Sequence, residues 1–340
     1  MEPSGGWDSL ELELPKWKGS REDWAVSRRA ISYDKLKWAV FSFQLYKSPG
    51  IDGIMPIMLQ QGFKLLAGKL LMLLRASLAL GYNAISWRHI RVVFIPQPGK
   101  PLSQAKSLRP ISLKSFILKT LEKLLDRHIR DGILVEKPLH QNQFAYRAGM
   151  STETALFQVA HRLEKSLNHE EIALGAILDI EGAFDNTSFN AIITAARQRG
   201  LGETSCRWVR SMPESRLVHT SLMGSSSTAR FRGCPQGEVL SPLLWNLVVD
   251  RLLAITNDLG FSTFGYADDI ITVQGKFAHT VREIMQEALN VVVKWAVKEG
   301  LNTSPHKTAI VPFTNRRKTE GLGPLILHSK ELKMLEEVNY

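Results

Sequence analysis

Cysteine is nearly absent from this sequence, with only Cys206 and Cys234 among 340 residues. Two thiols are too few for a disulfide framework and lack metal-ligand spacing, so reduced, intracellular thiols are expected. Long apolar runs are missing as well. The most apolar stretch, Leu65 to Tyr82, is broken by Lys69 and Arg75, which excludes a membrane span there and fits a packed helix. No secretory signal is expected, because Met1 to Asp23 is polar and mixed in charge; nucleus or cytoplasm is the anticipated location. Internal repeats and low-complexity tracts are not found. Acidic residues are in deficit, 33 against 43 Lys and Arg, for a net charge of +10. An acidic partner is therefore expected, nucleic acid before a membrane surface. Much of the excess falls between Trp87 and Arg130, where ten Lys or Arg meet two acids. That stretch reads either as a solvated helical face or as a phosphate-binding track.

The remaining composition, 44% hydrophobic and 22% charged, is that of an ordinary globular chain large enough for two or three subdomains. An amphipathic pattern covers Tyr33 to Phe43, and Ser48-Pro49-Gly50-Ile51-Asp52-Gly53 is a dense turn signal. Helices are expected from about Gln61 to Gly81 and, capped by Ser112 or Ser115, on to Arg130, with a strand at Arg91 to Ile95 between them. After Glu170 the pattern predicts the order β-α-β-β-α-β-β-α-β. The strands are Ile172 to Asp179, Arg216 to Leu222, Thr228 to Arg232, a hairpin around Tyr266-Ala267-Asp268-Asp269, and Thr308 to Phe313. A polar turn is expected at Gly224-Ser225-Ser226-Ser227. Tight turns between neighbouring strands imply an antiparallel sheet with helices on one face, an α+β fold.

Asp179 closes an apolar strand, and Asp268 and Asp269 lie at a hairpin tip. A lone Asp at a strand end is more often a turn former, and an Asp pair at a turn is more often solvated. Three carboxylates on neighbouring strands, however, are mutually repulsive unless a cation neutralises them. Oxygen-only ligands select Mg²⁺ or Mn²⁺, and paired ions of this kind serve phosphoryl transfer. Carboxylates alone leave polymerase and nuclease both open.

Six segments in order resemble the motif series of reverse transcriptases, from about Ser48 to the C-terminus. They are Leu108-Arg109-Pro110-Ile111-Ser112-Leu113; Gln143-Phe144-Ala145-Tyr146-Arg147 with Ser151-Thr152; Leu178-Asp179-Ile180-Glu181-Gly182-Ala183-Phe184-Asp185; Gly233-Cys234-Pro235-Gln236-Gly237 with Leu240 to Leu244; Tyr266-Ala267-Asp268-Asp269; and Gly300-Leu301-Asn302 with Lys307-Thr308. Any one is weak; the ordered series is specific. The wording resembles non-LTR retrotransposon enzymes of insect type.

The resemblance implies a polymerase right hand: an extension over 1–45, mainly fingers over 46–165, a palm over 166–340, and a thumb that is absent. It implies an RNA-directed DNA polymerase that takes an RNA template, a DNA primer and deoxynucleoside triphosphates, with no membrane. Asp179 and Asp268 would hold two Mg²⁺ (or Mn²⁺) ions, with Asp269 completing the catalytic set. Arg109, Phe184, Gln236, Gly237 and Lys307 would form the nucleotide site. Phe184 would be the aromatic gate that rejects a ribose 2′-hydroxyl; a core Phe anchoring its helix is the plainer reading. Arg109 would grip triphosphate and Lys307 the leaving group, whereas a surface Arg and a solvated Lys are the plain alternatives. Two departures stand out. Glu238 replaces a small residue and is expected to face phosphates and weaken binding. Pro213 falls at a helix end. Both read as lesions of a decaying element copy, so the alternative function is a nucleic-acid-binding remnant without turnover.

Overall fold

The computed structural model describes residues 17–99, 101, 107–212, 216–222, 225–229, 233, 237–266, 269–315 and 322–335, with backbone alone at 221–222, 225–229, 269–274 and 276. The chain forms two compact units, one from 1–135 with 200–240 and one from 136–199 with 241–340. The elements begin with α1 (Arg21–Ala30), α2 (Tyr33–Phe41), α3 (Pro56–Gln61), α4 (Phe63–Ala79), α5 (Ile85–Arg88), β1 (His89–Pro96), β2 (Leu108–Leu113), α6 (Phe116–Asp131) and α7 (Ile133–Glu136). Next come α8 (Thr152–Asn168), β3 (Ile172–Asp179), α9 (Ala183–Asn186), α10 (Phe189–Arg199), α11 (Glu203–Ser211), β4 (Leu217–Leu222) and β5 (Ser225–Ala229). The chain continues through α12 (Ser241–Asp258), β6 (Ser262–Tyr266), β7 (Asp269–Lys276), α13 (Ala278–Glu299), β8 (Ala309–Phe313), β9 (Ile326–Leu327), β10 (Lys330–Glu331) and β11 (Lys333–Met334).

In the first unit, helix starts follow local chemistry. Ser20 and Asp23 form a reciprocal capping box on α1, Ser32 caps α2, and the Ser115 hydroxyl accepts from the Ile117 N–H at 3.2 Å to start α6. The helix expected from about Gln61 starts at Phe63 as α4, with Gly62 separating it from α3. Residues before 46, read from sequence as an extension, pack into this unit: Ala30, Ile31, Leu36, Ala39 and Val40 are buried, and the Arg75 Nε donates to the Ile31 carbonyl at 2.9 Å. Asp23 fixes α1 to α11 by accepting the Thr204 hydroxyl at 2.7 Å. Burial opposes ionisation of Asp23, but hydrogen bonds from Thr204, the Ser20 backbone, Trp17 and the Ser20 hydroxyl outweigh it and hold the carboxyl far below its usual range.

The first unit's sheet has the order β2-β1-β4-β5. Pro110 sits in the edge strand β2, where a missing N–H costs no ladder bond on the solvent side. The sequence reading placed β4 and β5 in the same sheet as β3; instead they join β1, with β4 parallel to it. Strand pairing of such distant segments is set by packing, which local pattern does not encode. β5 also begins earlier than expected, since Leu222 pairs with Ser225, so the expected turn at Gly224 to Ser227 is largely strand.

The pairing of β1 and β4 brings His89 and His219 together, rings nearly parallel and Nδ1 2.8 Å from Nε2. Burial and the neighbouring His219 lower the His89 pKa below its ordinary value. A depressed basic pKa means that the folded state resists protonation. Its contribution to stability is present above the unfolded value near 6.5 and is lost as pH falls through the folded value. Thermal stability of the wild type is expected to fall between about pH 7 and pH 5. His89→Asn should flatten part of that slope in a series of melting curves; an unchanged slope would remove His89 from the account.

The second unit is built on a five-stranded sheet, β11-β8-β3-β7-β6. Pairs among β3, β6, β7 and β8 are antiparallel, and β11 joins the β8 edge in parallel. Helix α8 packs through Ala155, Val159 and Leu163 against Ala173, Phe264 and Ile177. The alternate residues of β3, Ile172, Leu174, Ala176 and Leu178, are equally buried, and α12 and α13 also touch this sheet. Since successive strand residues face opposite sides, both faces of β3 are covered, which corrects the expectation of helices on one face. An apolar run without alternation is the sequence signature of such a strand. Gly300 ends α13 in the left-handed conformation that glycine adopts without strain. Among the described residues, no helix is long and apolar enough to cross a membrane.

Candidate active site

Asp179 is the last residue of β3 and is paired in register with Asp269, the first residue of β7. Tyr266 of β6 pairs with Asp269 on the other side. The backbone thus brings Asp179 and Asp269 to the same end of the sheet. Asp268, between Tyr266 and Asp269 in sequence, lies outside the described residues.

The loop after α13 braces this strand end. The Ser304 N–H donates to the Asp179 carbonyl at 2.9 Å, and the Glu181 N–H donates to the Asn302 carbonyl at 2.8 Å. The buried Thr308 hydroxyl donates to the Ser304 carbonyl at 2.7 Å. Held by this turn, Lys307 directs its Nζ to both Asp179 oxygens, at 3.0 and 3.2 Å. The ammonium is 68% exposed and the carboxylate 22% exposed. An ion pair this open contributes at most about 1 kcal/mol. A carboxylate that already attracts a cation and loses little on exchanging it suits a hard divalent ion. Among the described residues no group of three or more potential ligands of the His, Cys, Asp and Glu type is found.

Phe184 lies on α9, just after Gly182 in the left-handed conformation. Its ring meets Tyr146 edge-on at 6.3 Å and Trp245 at 5.9 Å, and it is half-buried. The gate and anchor readings are therefore compatible, because one ring is both packed and partly open. Tyr146, held at a positive φ of 56°, sets its ring edge-on against Phe184 and supports it.

The other candidates belong to the first unit. Arg109 is an exposed residue of β2, opposite Ile95. Gly237 has φ +96°, and a Cβ there would approach the Ser112 carbonyl to 3.2 Å, so the position requires glycine. Gln236, Cys234 and Pro213 lie outside the described residues.

Glu238 is not where the sequence reading put it. It is buried with Lys114, Glu122 and Arg216, all between 0 and 3% exposed. Lys114 Nζ lies 2.7 Å from Glu122 and 2.6 Å from Glu238, and Arg216 Nη1 lies 3.0 Å from Glu238. Glu122 also accepts the Val239 N–H at 3.0 Å. These two cations and two carboxylates hold one another inside the fold, so Glu238 is a structural partner and does not face phosphates. No local signal links these four positions, since they come from four separate segments.

The basic stretch from Trp87 to Arg130 is likewise mostly consumed internally. Arg88 and Lys114 are buried. Arg127 and Arg130 pair with Asp131 and Asp126. Lys119 lies over Phe116 and Lys123 over Phe43. Arg91 and Arg109 remain exposed, and Lys100 and Lys106 lie outside the described residues. A continuous phosphate track along this stretch is not what the packing leaves.

The chain is 26% identical over 96% of its length to the RNA-directed DNA polymerase from mobile element jockey of Drosophila melanogaster, of which it covers 37%. It is 30% identical over 81% of its length to a retrovirus-related Pol polyprotein from a type-2 retrotransposable element of the same organism, covering 26% of that protein. A Pol polyprotein from a type-1 element of Bradysia coprophila is 25% identical over 83% of the chain and is covered to 28%. The chain therefore spans about a quarter to a third of these relatives' lengths. Residues 95–335 match the family described as reverse transcriptase (RNA-dependent DNA polymerase), and the chain belongs to that family.

Proposed function

We propose that this chain carries the polymerising centre of a non-LTR retrotransposon reverse transcriptase, extending a DNA primer on an RNA template with deoxynucleoside triphosphates. The observation that carries this reading is the register that pairs Asp179 with Asp269 at one sheet end, beside the Lys307 ammonium. In right-hand terms, the unit of 136–199 and 241–340 is the palm and the unit of 1–135 and 200–240 supplies fingers. Asp179 and Asp268 would hold two Mg²⁺ ions, with Asp269 in support; bound there, such ions neutralise the charge of the attacking and leaving oxygens.

The chain's own residues do the rest. Asp179 presents carboxylate oxygens from a strand end fixed by Ser304. Lys307, released from Asp179, gives a mobile proton donor for the departing pyrophosphate. Arg109 offers a planar fork to triphosphate oxygens. Gln236 and Gly237 form the floor for the nucleotide. Phe184, supported by Tyr146 and Trp245, rejects the 2′-hydroxyl by contact. Such a centre acts inside the cell, where element RNA and target DNA meet.

Primer extension on an RNA template tests this. Templated deoxynucleotide addition that requires Mg²⁺ or Mn²⁺ is expected; its absence in both ions, with the protein folded, would defeat the proposal and leave a non-catalytic remnant. Phe184→Val is expected to reduce the preference for deoxynucleotides over ribonucleotides by about five- to thirtyfold, the effect of losing one steric contact of 1–2 kcal/mol. Unchanged preference would make Phe184 a packing residue alone.

A further inference from the structure

The second unit contains a cleft of about 640 Å³ between α8 and the start of β6, and none of its lining residues belongs to the polymerising centre. We propose that this cleft and its neighbour bind consecutive unpaired nucleotides of single-stranded nucleic acid. The apolar wall combines Met150, more than a third exposed, with Phe144, Phe261 and Phe264, which are buried and offer the cleft only a small part of their rings. Aromatic surfaces take bases by stacking, whatever the base. Asn142 and Asn257 line the same space with orientations already fixed. The Asn142 amide donates to Asn257 at 3.2 Å and to the Thr263 carbonyl at 2.9 Å, and the Asn257 amide donates to the Leu253 carbonyl at 2.8 Å.

Charge completes the description. His161, Arg162 and Lys165 line the cleft, and among the described residues no Asp or Glu does. A solvated helical face normally pairs its cations with acids one turn away, yet neither Arg162 nor Lys165 forms an ion pair with a described residue. A second cleft of about 230 Å³ shares Arg162 and Lys165 and adds Ser166, His169 and Glu171. The two cations therefore stand between two cavities, where the phosphate linking two nucleotides would lie. The larger cleft falls in the size range of small-molecule sites and suits one base with its sugar. Bases stacked in a duplex are not available to such a cavity, so the occupant is single-stranded.

The test is equilibrium binding of short fluorescent oligonucleotides to the full chain, without triphosphates, so that its result is independent of polymerisation. Arg162→Glu with Lys165→Glu is expected to weaken binding of a single strand at least tenfold. It should also lower the slope of log affinity against log salt by roughly 1.4, two phosphates at about 0.7 each. Met150→Glu, which puts a carboxylate into the cleft wall, should weaken binding in the same direction. Lys294→Glu with Lys298→Glu, an equal charge reversal on exposed positions of α13, should change affinity much less. RNA and DNA arms identify the strand, and a loss confined to either supports the site. Equal losses for the two charge reversals, or an abasic strand bound as tightly as one carrying bases, would overturn it.

Discussion

Asp179→Asn is expected to lower primer extension by at least about a thousandfold while leaving stability nearly unchanged, because loss of a carboxylate ligand removes transition-state charge stabilisation of several kcal/mol. Both halves follow from the geometry. Asparagine is close to isosteric, and the strand-end bond from the Ser304 N–H to the residue 179 carbonyl survives the change. The interaction lost from the fold is the open pair with Lys307, worth at most about 1 kcal/mol. A divalent ion at residue 179, in contrast, needs the full negative charge. Lys307→Met gives the complementary result. Removing a competing cation 3.0 Å from Asp179 should tighten Mn²⁺ binding by about five- to tenfold, the scale of a 1 kcal/mol interaction between solvated charges. Extension should nevertheless slow, because the proton donor is gone. Calorimetry of Mn²⁺ binding beside steady-state rates separates the two effects. If Asp179→Asn retained normal extension, the strand-end site would be wrong. If Lys307→Met changed neither ion affinity nor rate, the lysine would be a surface residue.

Glu238→Ser, the change that seems restorative when the motif is read alone, is expected to destabilise the first unit by roughly 3–5 kcal/mol. It removes one of two carboxylates from a buried network, leaving Lys114 with Glu122 alone and taking from the buried Arg216 its carboxylate at 3.0 Å. Against a typical total of about 5–15 kcal/mol, that loss is large enough to unfold a substantial fraction of the protein. Urea denaturation should show a lower midpoint for the single variant. Lys114→Met with Glu238→Gln removes one charge of each sign. It should cost less than the sum of the two single changes, a coupling of about 1–3 kcal/mol. A loss below about 1 kcal/mol for Glu238→Ser would mean that Glu238 is solvated after all. Glu238 directly follows Gly237, whose left-handed backbone abuts Ser112. The network thereby anchors the turn before it to Lys114, two residues beyond Ser112.

These two cases mark the difference between local and distant information. The strand ending at Asp179, the helix ending at Gly300 and the cap at Ser115 depend on residues within a few positions, so side-chain period and turn chemistry reveal them. The convergence of Asp179 with Asp269 was anticipated because one apolar strand ends in aspartate and the tip of a hairpin between apolar strands carries two more. α1 was missed because its weight lies in a buried polar anchor, Asp23, whose partners Thr204 and Arg207 are far away in sequence.

By itself, the sequence determined the α+β class, the succession β3, α10, β4, β5, α12, β6, β7, α13 and β8, and the carboxylates at issue. Each is written in short-range periodicity and in motif spacing. Tertiary structure alone decided that β4 and β5 leave the sheet of β3 to pair with β1, that both faces of β3 are covered, and that Glu238 lies inside a buried network. Strand partners and ion-pair partners are chosen by what is close in space after collapse. The free energy of a charge depends on whether water or an opposite charge surrounds it, and neither is visible along the chain.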